Sequence, residues 1–155
     1  MDLTTLIIGV VTLALCAMPF VLASLSSKRR TKRLVGKVDQ MAAEKSCTIG
    51  QYEILGEAII GMDTERKYLF FAKTGESGIR SSIALAEISR CVIDNQQSNG
   101  SFSTSTIGLK FTTLAGNHEY FEFFNSATDG SYDGLEQLLL KWKNIIEQNS
   151  KNYAK

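Results

Sequence analysis

The chain has 155 residues, 44% of them hydrophobic and 21% charged, with a formal net charge of +1. That balance hides an asymmetry: five of the seventeen cations and one of the sixteen acids fall in residues 1–33, which leaves twelve against fifteen, a net −3, for residues 34–155. A mildly acidic body excludes the basic patch of a nucleic-acid-binding domain, and three cysteines without a CxxC, beside one histidine, exclude a zinc site built by local spacing.

Residues 3–25 contain no charged side chain, and Lys28, Arg29, Arg30, Lys32 and Arg33 follow almost at once. As a helix this run is about 34 Å long at about 1.5 Å per residue, enough to cross a hydrocarbon core of about 30 Å. Cations just past its end hold that end on the cytoplasmic side, so the sequence predicts a transmembrane anchor over 1–27 with the N-terminus outside. A cleaved signal peptide would carry its positive charge before a shorter apolar core. Here Asp2 precedes a long one, although Val21-Leu22-Ala23 before Ser24 resembles a weak cleavage site. Leu15 stands where a lipoprotein box needs a small residue before Cys16. Pro19 is tolerated inside a membrane helix when neighbouring groups satisfy the freed carbonyl. The basic cluster is read first as a topology signal and second as a contact for anionic lipid.

Leu34, Val35, Val38, Met41 and Ala42 follow helical spacing, which predicts a basic juxtamembrane helix within residues 28–47. Its apolar stripe is either a packing face or a lipid-facing one. From Thr48 the period changes. Residues 52–55 and 57–62 are short apolar runs separated by Gly56, residues 63–66 are a polar turn, and residues 67–73 return as the second strand of a hairpin. A two-glycine loop over 74–78 precedes a loosely alternating stretch to Leu85, a short link over 86–88 and a strand over 90–94. Residues 95–105 are polar apart from Phe102 and read as an exposed loop. Residues 106–114 and 118–124 alternate about the turn Ala115-Gly116-Asn117, placing Ile107, Leu109, Phe111, Phe121 and Phe123 on inner faces. Tyr132, Leu135, Leu138, Leu139, Trp142, Ile145 and Ile146 recur at helical spacing, with Asp133 and Glu136 at capping-box distance.

The order of elements resembles the pleckstrin-homology-like superfold, including its bacterial PH-like and GRAM-like members. Three stretches carry the likeness: the hairpin from Gly61-Met62-Asp63 through Lys67-Tyr68-Leu69-Phe70-Phe71, the strand–link–strand run Ile83 to Val92, and the closing helix with Trp142 on its apolar face. The resemblance covers about residues 48–148. It implies an α+β, mainly β fold, a small barrel or sandwich of about 6–7 antiparallel strands capped by the C-terminal helix, in a domain over 48–150 with a tail over 151–155. It further implies a binding scaffold rather than a catalyst. Phosphoinositide-binding relatives place several Lys/Arg around the first hairpin loop. Here Glu53 and Glu57 flank a single Gly56, which argues against that ligand.

No catalytic constellation is expected. His118 has no Ser/His/Asp or Cys/His set around it in sequence, Gly75 and Gly78 lack the GK[ST] of a phosphate loop, and the phenylalanines of alternating strands read as core. The expectation is a non-catalytic, single-pass, membrane-anchored module that engages a protein partner at the cytoplasmic face, without cofactor, metal or nucleic acid. Two alternatives are an anionic-lipid or small-ligand module and an exported envelope domain. Cys47 and Cys91 are free thiols in a reducing cytoplasm, and a disulfide pair in the exported alternative.

Overall fold

The computed structural model describes residues 2–75, 78–98, 104–130 and 133–151. The chain divides into two units, Met1–Arg33 and Leu34–Lys155. Helix α1 comprises Leu3–Glu44, 42 residues. Among the described residues no helix is long and apolar enough to cross a membrane. The side chains at positions 3, 5, 6, 15–17 and 19–23, in the uncharged run, lie outside the described ones. The membrane expectation therefore stands on sequence alone.

The second unit is α+β and mainly β, with seven strands among the described residues. Strands β1 (Gln51–Leu55), β2 (Ala58–Asp63), β3 (Tyr68–Lys73) and β4 (Arg80–Ala84) form one antiparallel sheet in chain order. A 3-10 turn, Leu85–Glu87, leads to β5 (Ile88–Ser98), β6 (Thr104–Thr113) and β7 (His118–Asn125), which form a second antiparallel sheet. Helix α2, Leu135–Lys151, closes the chain. The strands make two sheets, not one closed barrel. The segment expected as a loop over 95–105 is strand on both sides of residues 99–103. Gln96 faces Thr106, Gln97 faces Ser105, and the Ser105 hydroxyl donates to Asn95 Oδ1 at 3.1 Å. Cross-strand pairing of polar side chains holds this arm, a stabilisation that composition alone does not reveal. Phe102, Tyr132 and the tail over 152–155 fall outside the described residues.

Two apolar clusters organise the unit. The larger lies between the sheets, where Ile60, Met62, Leu69 and Phe71 meet Leu109, Phe111, Phe121, Phe123 and, from α2, Leu139, Trp142 and Ile146. The Phe71 ring centroid lies 4.9 Å from those of both Phe121 and Phe123, and Phe111 meets Phe121 edge-on at 4.7 Å. These aromatics are core, as their alternation predicts. The register of β6 and β7 shifts between Ile107 and Gly108, a bulge that only glycine permits: a Cβ at position 108 would sit 2.1 Å from the Phe121 carbonyl oxygen.

The smaller cluster covers the other face of the first sheet. Leu34, Val38, Met41 and Ala42 of α1 pack with Cys47 onto Ile59, Phe70 and Ala72. Residues 58–62 of β2 are consequently all buried, which explains why they form a continuous apolar run instead of an alternating one. Gly61 permits the close approach, since a Cβ there would lie 3.3 Å from both Val38 and Ile49 side chains. The stripe over 34–42 is thus a packing face, and the compact unit starts at Leu34, ahead of the boundary at 48 that strand periodicity suggests. Cys47 and Cys91 are both buried free thiols in different clusters, served by opposite faces of the first sheet. The pairing expected for an exported domain therefore does not form in this fold.

Candidate functional site

Three polar arrangements stand out against the apolar framework. The first is the collar of Lys28, Arg29, Arg30, Lys32 and Arg33, all exposed on consecutive turns of α1. At about 100° per residue these five positions spread over about 200° of the helix surface. They form a broad positive band, not a chelating pocket.

The second arrangement was not legible in sequence, because its members lie 49 and 56 positions apart. The Lys73 ammonium, at the buried end of β3, donates to Glu122 Oε1 at 3.0 Å and to Asp129 Oδ2 at 2.9 Å. Asp129 also accepts from the Asn125 backbone N–H at 2.8 Å and from the Thr128 hydroxyl at 3.0 Å. Burial by itself would push the Lys73 ammonium down, but the bonds to Asp129 and Glu122 outweigh it and hold it above its ordinary value. Burial likewise opposes the charge on Asp129, and Lys73 together with the Asn125 N–H reverses this and holds the carboxyl below its usual range. These groups line a cavity of about 390 Å³ with Glu57, Gly75 and Ile79. Both carboxylates are spent on the ammonium, so the cluster acts as a clasp that ties β3 to β7 and to the connection before α2.

The third is Asp63, read from sequence as the first residue of a polar turn and found 3% exposed. Its Oδ1 accepts the backbone N–H groups of Glu65 and Arg66 at 2.7 and 2.8 Å, and its Oδ2 accepts that of Thr48 at 2.8 Å. Burial alone would raise its pKa, yet the three N–H donors win and lower it. One carboxylate thereby closes the β2–β3 turn and pins the connection between α1 and β1. An acid that starts a turn, with residues two and three places on supplying N–H donors, is the sequence signal for the local half of this arrangement.

The remaining sequence candidates are not assembled into chemistry. His118 is exposed at the start of β7, with Nδ1 3.4 Å from the Thr112 hydroxyl. Burial pushes the Cys47 thiol up, and that of Cys91 up to about 12, which leaves both as poor nucleophiles. Among the described residues no group of His, Cys, Asp or Glu is placed to hold a metal ion. Trp142 is fully buried, and its indole N–H donates to Glu53 Oε2 at 3.0 Å, an oxygen that also accepts from Lys141 at 2.9 Å. Glu53, beside the β1–β2 turn, therefore helps to seat α2. Gly56 and Glu57 alone connect β1 to β2, with Gly56 at φ 57°. The chain matches no family model, no curated protein and no solved structure.

Proposed function

We propose that the chain is a single-pass membrane protein, N-terminus outside, whose cytoplasmic β domain is a non-catalytic, pleckstrin-homology-like binding module for a protein partner. The observation that carries this reading is the junction within α1, where 23 uncharged positions give way to five exposed cations over residues 28–33. Such an asymmetry orients an anchor with its basic end inward. The likeness to the PH-like superfold is supported by the order of four antiparallel strands, then three, then a helix that buries Trp142. A two-residue β1–β2 turn carrying Glu57 disfavours a phosphoinositide ligand. The clasp at Lys73 and the buried thiols are accounted for by structure, which leaves the outer surface as the place of recognition.

The test is crosslinking and purification of the tagged full-length protein from its native membrane, alongside a variant with Lys28, Arg29, Arg30, Lys32 and Arg33 neutralised. Retention in the membrane after alkaline carbonate washing, with a stoichiometric protein recovered from both forms, is the expected result. Release by carbonate contradicts the anchor. The exposed collar favours one second reading, an anionic-lipid module, and recovery of lipid alone, lost in the variant, would select it.

A further inference from the structure

Strand β4 is the last strand of its sheet and, among the described residues, pairs only with β3. Beyond it runs a groove of about 410 Å³, lined by Ser82 and Ile83 of β4, Glu87 of the 3-10 turn, and Leu114, Asn117 and Glu119 of the β6–β7 hairpin. Leu114 is 74% exposed, the largest exposure of any bulky apolar side chain among the described residues. That exposure is built in, because the Leu114 backbone N–H is fastened to the Glu87 carbonyl at 2.8 Å and the Thr113 N–H to the Asn117 carbonyl at 2.9 Å. The turn presents its leucine from a fixed frame. Glu87 and Glu119 are both exposed, and neither has an ion-pair partner among the described residues. Among the described residues no cation lines the groove, and Arg80, the one cation of β4, lies outside it.

We propose that this groove docks an extended basic segment of a partner protein, which adds a strand to β4. An open strand edge supplies backbone hydrogen bonds without regard to sequence, and pockets beside it supply the selectivity. Here Leu114 takes an apolar side chain, and Glu87 and Glu119 select Lys or Arg over acidic residues. The five residues of β4 span about 17 Å at about 3.3 Å each, room for a segment of four or five residues. The inference rests on the protein-partner reading and specifies the face that reading would use.

The test uses the full-length chain in phosphatidylcholine nanodiscs and the labelled, end-capped peptide Lys-Val-Lys-Val-Lys, with Glu-Val-Glu-Val-Glu as the control. Saturable anisotropy for the basic peptide alone, with slowed amide exchange confined to residues 80–84, is expected. The double variant Glu87→Lys/Glu119→Lys should weaken binding about tenfold, the combined worth of two exposed charge contacts. Leu114→Ser, at a position too exposed to affect folding, should weaken it about threefold. Absence of saturable binding, equal binding of the acidic peptide, or protection elsewhere in the chain would each overturn the proposal. A natural partner crosslinked through another face would leave the protein-partner reading standing and remove this one.

Discussion

On its inner face the four-stranded sheet meets Phe111, Phe121, Phe123 and Trp142, all contributed by residues after position 104; on its outer face it meets Leu34, Val38, Met41 and Ala42 of α1. The inner cluster has seventeen buried residues and stacked rings, the outer one eight residues, four of them from one helix. Both faces are buried, but far fewer apolar residues stand behind the outer cover. The outer layer should therefore open at lower free energy than the inner one, as a local unit and not with the whole domain. The difference also relocates the start of the domain. A helix that sequence places in a linker is the third layer of the β structure.

Breaking the inner side should cost most. Trp142→Ala removes a fully buried indole and leaves Glu53 with Lys141 in place of two donors, so the unfolding free energy should fall by about 3–5 kcal/mol in a urea titration. A loss below about 1 kcal/mol would mean that α2 does not close this core. Breaking the outer side should cost less. Leu34→Ala is expected to lose about 2–3 kcal/mol, the lower part of the range for a buried leucine, because the site lies at the end of a thin cluster that can partly collapse. Amide exchange in β2 and β3 should rise in that variant before exchange in β6 does.

A pH titration sharpens the comparison, because each cover is fastened by its own carboxylate. Asp63 ties the α1–β1 connection, and Asp129 ties the β7–α2 connection. Both carboxyls have folded pKa values below their ordinary ones. Their stabilisation is therefore fully present above about pH 4 and is lost as pH falls through the folded values. Lys73 is raised, so its share is present below about pH 10.5 and is lost as pH rises further. The thermal midpoint should form a plateau between these limits. Asp63→Asn should lower the plateau and flatten its acid limb, with the exchange of residues near Thr48 affected first. An acid limb unchanged by Asp63→Asn would show that the pin carries no stability.

What could be read from the sequence divides along the same line. The hairpins about residues 63–66 and 115–117 and the stripe of α2 were legible, because each is a local pattern of period two or 3.6. The stripe of Leu34, Val38, Met41 and Ala42 was equally visible, but periodicity identifies an apolar face without naming what covers it. The polar stretch over 95–98 was misread because a ladder of Asn, Gln, Ser and Thr has the composition of a loop. The Lys73 clasp and the donation from Trp142 to Glu53 join residues far apart in the chain, and no spacing rule reaches them. The five cations of residues 28–33 are adjacent in the sequence, and the structure adds that all are exposed on one helix. The β4 groove was not legible, as it brings residues 82–87 together with residues 113–119, which no local pattern relates.

The central claim is that residues 34–47 are a structural layer of the β domain. Its most direct test is amide exchange across β2 and β3 in two fragments, 34–155 and 48–155. The account predicts a cooperative unfolding transition and slow exchange on both strands in the longer fragment. In the shorter one, the exposed face of Ile59, Phe70 and Ala72 should bring fast exchange and association. Equal protection and equal stability in the two fragments would contradict it, and would return residues 34–47 to the role of a linker.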